Sequence, residues 1–144
     1  MMLDTKERFY MKKIDIKNSA DMFLYKAIID FNSGKALYAL FENDEIDIDI
    51  EKIYFDFQQS VEKLLKALLT NSNISINKTH DIEVLIDTCI ENHINILDNI
   101  EFFIKLTEYA VEGRYGIIND DLNDTENYIN KISALVEFTK IQLS

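Results

Sequence analysis

Between positions 50 and 68, the apolar residues Ile50, Ile53, Tyr54, Phe57, Val61, Leu64, Leu65 and Leu68 recur at offsets of 0, 3, 4, 7, 11, 14, 15 and 18. That spacing is the stripe of an amphipathic helix, sustained for about five turns. A helix this long with one continuous apolar face must be covered by other elements. The rest of the chain offers helices for the purpose. It has no proline and only three glycines, Gly34, Gly113 and Gly116, so long helices can run with few interruptions. At 144 residues and 47% hydrophobic content, the chain has the size of one domain with a real core.

Five helical segments are predicted. The first covers about residues 20–41, with Asn18 and Ser19 as N-cap types and a broad apolar face of Met22, Tyr25, Ile28, Ile29, Leu37, Leu40 and Phe41. Gly34 in its middle costs about 1 kcal/mol against alanine; a close helix crossing or a local bend would each account for it. Residues 43–49 form an acidic connection. Its alternation Ile46-Asp47-Ile48-Asp49-Ile50 has the period of a strand, but no partner strand exists elsewhere, so it reads as an extended lead into the second helix. The second helix runs to about residue 70 and ends in the turn-rich stretch NSNISINK. The third starts near Thr79 or His80, with the stripe Ile82, Leu85, Ile86, Cys89 and Ile90. The fourth covers about residues 97–112, with Ile100, Phe103, Ile104, Ala110 and Val111 inward, and stops at Gly113. Asn123 or Asp124 caps the fifth, which carries Ile129, Ile132, Leu135, Val136 and Leu143. The expected fold is all-α: an up-and-down bundle of about five helices over residues 19–144, preceded by a basic lead-in over residues 1–18.

Charge narrows the function classes. The net charge is −11, distributed unevenly. Five bases against three acids fall in the first 17 residues, whereas residues 42–51 hold six acids and no base, and residues 79–104 hold six more acids, again with no base. Such a surface repels a phosphate backbone at long range, so a nucleic-acid contact requires a local basic pocket or a partner protein. No apolar run reaches the roughly 18 residues of a membrane span, and the N-terminal stretch MMLDTKERFYMKK lacks the form of a signal peptide. The single Cys89 excludes an internal disulfide and fits a cytoplasmic location. His80 and His93 belong to no HxxxH or HExxH array, so no metal site is expected, and no glycine-rich phosphate loop or other cofactor motif is present.

Three places carry polar chemistry. On the second helix, Gln59, Lys63 and Lys66 share one side. That face is either solvated, with Glu62 and Lys66 as an (i, i+4) ion pair, or a surface that meets a nucleotide or a partner. His80 lies near a helix start, where it can cap, pack or bind phosphate. Arg114 and Tyr115 sit between two glycines, where a guanidinium can take phosphate bidentately and a phenol ring can stack on a base.

Three stretches resemble the HEPN family of small helical domains: FDFQQSVEKLLKALL (residues 55–69), KTHDIEVLI (residues 78–86) and LTEYAVEGRYG (residues 106–116). They occur in the family's order with matching gaps, and the resemblance covers about residues 19–144. It implies a helical bundle, frequent homodimers, and pairing with a minimal nucleotidyltransferase, often as a toxin–antitoxin system. Active members are metal-independent ribonucleases that use an Arg followed four to six residues later by His. Neither Arg8 nor Arg114 has a His at that distance; after Arg114 the chain reads Tyr-Gly-Ile-Ile-Asn-Asp.

The resemblance and the missing imidazole together predict no catalytic residue. They predict a nucleotide- or partner-binding component of a nucleotidyltransferase/HEPN pair, with Gln59, Lys63, Lys66, His80, Arg114 and Tyr115 as the binding set. The runner-up is an RNA-cleaving toxin using Arg114 with a displaced base, and the third reading is a structural dimerisation module. Nine Phe and seven Tyr exceed what a small bundle readily hides, which also favours a homodimer.

Overall fold

The computed structural model describes residues 8–76, 78–110 and 124–144. Helix α1 (Ser19–Glu42) is capped by Asn18, whose side chain accepts from the Asp21 N–H at 2.9 Å. Residues 46–49 carry no regular secondary structure, with Asp49 in the extended region, and deliver the chain to α2 (Ile50–Asn71). Helix α3 (Ile82–Glu91) follows a loop, then a 3₁₀ segment (Ile100–Tyr109), and finally α4 (Thr125–Leu143). Among the described residues there is no strand. Helix α2 is the centre of the bundle and packs against α1, α3, the 3₁₀ segment and α4. Its stripe is buried from Ile53 to Leu69, with Phe57, Val61, Leu64 and Leu65 fully so.

Two sequence expectations need correction. The fourth segment, predicted as an α-helix over residues 97–112, is not one over its described residues, 97–110. It begins after Asn99, which is left-handed at φ 61°, and winds as a 3₁₀ helix. Its buried residues are Ile100, Phe103, Leu106 and Tyr109, spaced by three throughout. Three residues per turn is the 3₁₀ repeat, so this spacing keeps all four on one line against the core. Ile104, expected inward, is only partly buried.

The second correction concerns α1. Of the face read from the sequence only Ile28 is buried; the other buried residues of α1 are Ala20, Leu24, Ala27, Phe31, Gly34, Lys35 and Tyr38. Met22 and Ile29 are exposed, as is Ile90 of α3. Helix α1 is apolar on two sides, and periodicity alone does not say which side α2 takes.

At Gly34, α1 lies close against α2. A Cβ placed on it would lie 2.7 Å from Cε1 and 2.9 Å from Cδ1 of Phe57. The Phe57 ring itself packs against Phe31 and Tyr54 in tilted geometry, with centroids 5.9 and 6.1 Å away. A helix crossing therefore explains the glycine.

The described part of the lead-in runs along α1. Asn32 clamps it in both directions: its Oδ1 accepts from the Phe9 N–H at 3.2 Å and its Nδ2 donates to the Phe9 carbonyl at 3.0 Å. The Phe9 ring then meets Phe31 at 5.9 Å, and the ammonium of the buried Lys35 lies over both rings.

Asp56 is a buried carboxylate on the α1 side of α2, 3.2 Å from Lys52 Nζ and 3.2 Å from Ser33 Oγ. Burial pushes its carboxyl above the ordinary carboxylate value, against the opposing pull of Lys52 and Ser33. The folded state thus holds this proton more tightly than the unfolded state. Its contribution to stability is full below the unfolded value and is lost as pH rises through the folded one. Asp56→Asn, which cannot ionise, should therefore gain on the wild type between about pH 3 and about pH 7. Thermal melts of both proteins at the two pH values check this; a difference in Tm that does not change with pH would refute it.

Candidate functional site

The polar border of α2 is built into a single network by the return of the chain after residue 71. The loop brings Thr79, His80 and Asp81 back alongside the middle of α2. Asp81 then caps α3, its Oδ1 accepting from the N–H groups of Glu83 at 2.9 Å and Val84 at 3.4 Å. The Ile82 N–H donates to Thr107 Oγ1 at 3.1 Å, which ties the start of α3 to the 3₁₀ segment. These bonds fix the backbone on the C-terminal side of His80. Its own carbonyl is held by Gln58, whose Nε2 donates to it at 3.1 Å. Gln59 Nε2 in turn donates to Gln58 Oε1 at 2.6 Å.

Glu62 is the hub. It is 2% exposed, and its Oε1 lies 2.6 Å from His80 Nδ1 and 3.7 Å from Lys66 Nζ. The His80 side chain is 67% exposed, so one edge of the ring is tied to a buried carboxylate while most of it faces water. Lys66 is only 14% exposed and follows Glu62 by four positions, one helical turn on. The (i, i+4) pair expected from the sequence is present, but not on a solvated face.

Of the predicted binding residues, Gln59, Lys66 and His80 are thus brought into one network. Lys63 is not part of it; its ammonium turns to Asp30 of α1. Arg114 and Tyr115 lie outside the described residues, as do Gly113, Gly116 and Asn123. Sequence reasoning missed Gln58 and the central role of Glu62. A signal existed: the two are spaced by four and sit at the border of the apolar stripe, where a polar side chain is buried but can still reach a neighbouring loop.

A second cluster lies two turns earlier on α2. Tyr54 bonds Thr125 Oγ1 at 2.8 Å through its hydroxyl, and its ring packs on Tyr109 and Tyr128 at 5.2 and 5.5 Å. Tyr109 and Thr125 are close to the described ends on either side of residues 111–123, so both ends of that connection are anchored at Tyr54. Burial pushes the Tyr128 hydroxyl up to about 12, which keeps it neutral.

Other chemistry finds no support. Cys89 is fully buried, and burial pushes its thiol up to about 11, so it is held as an unreactive thiol. Among the described residues, no three His, Cys, Asp or Glu side chains converge as a metal site, and no helix is long and apolar enough to cross a membrane.

An all-helical bundle with a central long helix, a Gln-Gln-Ser-Val-Glu-Lys polar border and a Thr-His-Asp return defines a class of small helical domains. The HEPN domain family matches residues 20–142 of the 144-residue chain, and the protein belongs to that family. No curated protein and no solved structure matches it.

Proposed function

We propose that this HEPN protein works by binding rather than by cutting: it is the nucleotide- or partner-binding component of a cytoplasmic pair with a minimal nucleotidyltransferase. The observation that carries this reading is the Glu62 hub, which fixes an imidazole and an ammonium at one place on a chain of net charge −11. Donors positioned by a buried carboxylate suit a phosphate group, because the protein has already met the entropic cost of ordering them. Arg114, in the sequence Gly113-Arg114-Tyr115-Gly116, is the guanidinium that this reading assigns to phosphate. The Arg-to-His spacing of active family members is absent, which removes the usual proton-transfer group.

Titration calorimetry with adenine and guanine nucleotides tests the reading. The wild type should bind, and His80→Ala and Arg114→Ala should each weaken binding by about 1–3 kcal/mol, the range of a charge-assisted contact. Co-purification with the protein of the adjacent reading frame tests the pairing. Binding of neither would refute the proposal.

One observation favours a second reading, an RNA-cleaving toxin with a displaced base. A histidine with Nδ1 on a buried carboxylate and its remaining edge exposed has the orientation of a general base. Robust metal-independent RNA cleavage by the wild type, lost in both His80→Ala and Arg114→Ala, would put this reading first.

A further inference from the structure

Tyr25, Ile28, Ile29 and Asn32 stand at offsets of 0, 3, 4 and 7 and so form one stripe of α1, roughly opposite Gly34 on the helix. The lead-in lies beside this stripe, and the two enclose a groove of about 370 Å³. Tyr25, Ile28 and Ile29 make its apolar floor, and Arg8, Tyr10, Lys12 and Lys13 line it from the lead-in. The two hydrogen bonds of Asn32 to the Phe9 backbone hold that wall against the helix. One wall of the groove thus comes from residues before position 20, where the match to the HEPN family begins.

Its charge runs against that of the molecule. The chain carries −11 overall, yet among the described residues that line the groove three are basic and none is acidic. The acids that follow in sequence are engaged by backbone: Asp15 Oδ2 accepts from the Lys12 N–H at 3.0 Å, and Asp21 Oδ2 from the Lys17 N–H at 2.9 Å. Among the described residues, Arg8, Lys12 and Lys13 form no ion pair. Beside these cations the fold leaves large apolar side chains in water, with Tyr10 68% and Ile29 48% exposed.

We propose that this groove binds a small amphiphilic acid, whose aromatic or aliphatic body lies on Tyr25, Ile28 and Ile29 and whose carboxylate or phosphate meets Arg8, Lys12 and Lys13. The volume falls in the lower part of the range of small-molecule pockets, about 300–1,000 Å³, and so suits one such ligand. An apolar floor with a few charged groups on one side is the usual division of such pockets: the floor supplies affinity and the charges fix orientation. The charge pattern also selects a short ligand over a polynucleotide. A single acidic group meets only the local cations, whereas a long polyanion would run on from the groove over a surface of net negative charge. The groove shares no residue with the Glu62 network, so the assignment does not depend on nucleotide binding there.

Titration of the full chain into fluorescent naphthalene probes tests this, because the chain has no tryptophan to interfere. The probes are naphthaleneacetate, naphthyl phosphate and the neutral naphthalene-ethanol. At least one acid should bind in the submillimolar range, and the stronger head marks the ligand as a carboxylic or a phosphoric acid. Lys12→Gln/Lys13→Gln should weaken acid binding at least about fivefold, the low end for lost charge-assisted contacts, and leave the alcohol unchanged. Lys78→Gln/Lys105→Gln removes two exposed charges elsewhere and should change neither. Ile29→Asp, at a half-exposed position on the floor, should abolish acid binding while the helical circular dichroism stays unchanged. Failure of both acids to bind, equal binding of the alcohol, or equal losses in the two lysine-pair variants would each overturn the proposal. So would single-stranded RNA that binds more tightly than either acid and depends on Lys12 and Lys13.

Discussion

Phe57→Ala is expected to cost about 3–5 kcal/mol, the range for deleting a fully buried aromatic ring, and to reverse the sign of a substitution on the neighbouring helix. In the wild type, Gly34→Ala meets two opposed effects. Alanine improves helix propensity by about 1 kcal/mol. The new Cβ, however, falls 2.7 and 2.9 Å from two atoms of the Phe57 ring. That ring is 0% exposed and packed against Phe31 and Tyr54, so it cannot swing aside. Overpacking of this kind costs about 1–3 kcal/mol, and with α1 and α2 both long helices the backbone yields little. The steric cost wins, and Gly34→Ala should lose about 1–2 kcal/mol net. In the Phe57→Ala background the ring is gone and the same substitution should stabilise. The gain should fall short of the full propensity value, because Asp56 Cβ remains 3.2 Å from the new methyl. Denaturant titration of the four proteins in the cycle measures this coupling. If Gly34→Ala were stabilising in both backgrounds, the close crossing would be wrong.

The second large effect belongs to Glu62. Glu62→Met should lose about 2–3 kcal/mol. Breaking a buried charge pair usually costs more, about 3–5 kcal/mol, because the partner is left unpaired. Here the loss is discounted, since His80 is two-thirds exposed and can hydrate. Lys66 is the partner that suffers: its side chain is 14% exposed, and without the carboxylate its ammonium must move or stay poorly solvated. Adding Lys66→Met should then restore most of the loss, because replacing both members of a buried pair with apolar groups of similar volume is often neutral. A double variant no more stable than Glu62→Met alone would contradict the role given to Lys66. The same variant separates stability from function. On the proposed function, Glu62→Met/Lys66→Met should fold well yet bind nucleotide weakly, since the imidazole is no longer held and the Lys66 ammonium is gone.

The helices themselves were legible because their signals are local. A stripe at 3.6-residue spacing, Asn18 before the first helix and the turn-rich stretch after α2 each act within a few residues, and so the sequence alone determined the all-α class, the long amphipathic α2 and the family. The 3₁₀ segment had a local signal too, in the spacing of Ile100, Phe103, Leu106 and Tyr109, but an α-helix tolerates several of the same positions. What the tertiary structure decided was every question of which neighbour a side chain meets. Helix α1 has two apolar faces of similar quality, and only the placement of Gly34 against Phe57 selects the one that α2 covers. Gln58, Glu62 and His80 are 4 and 18 positions apart, and nothing short of the return of the chain onto α2 joins them. Lys63 and Lys66 look equivalent on a helical wheel, yet one answers Asp30 of α1 and the other Glu62. Periodicity reports the direction in which a side chain points along its own helix; the partner waiting there is set by packing between segments distant in sequence.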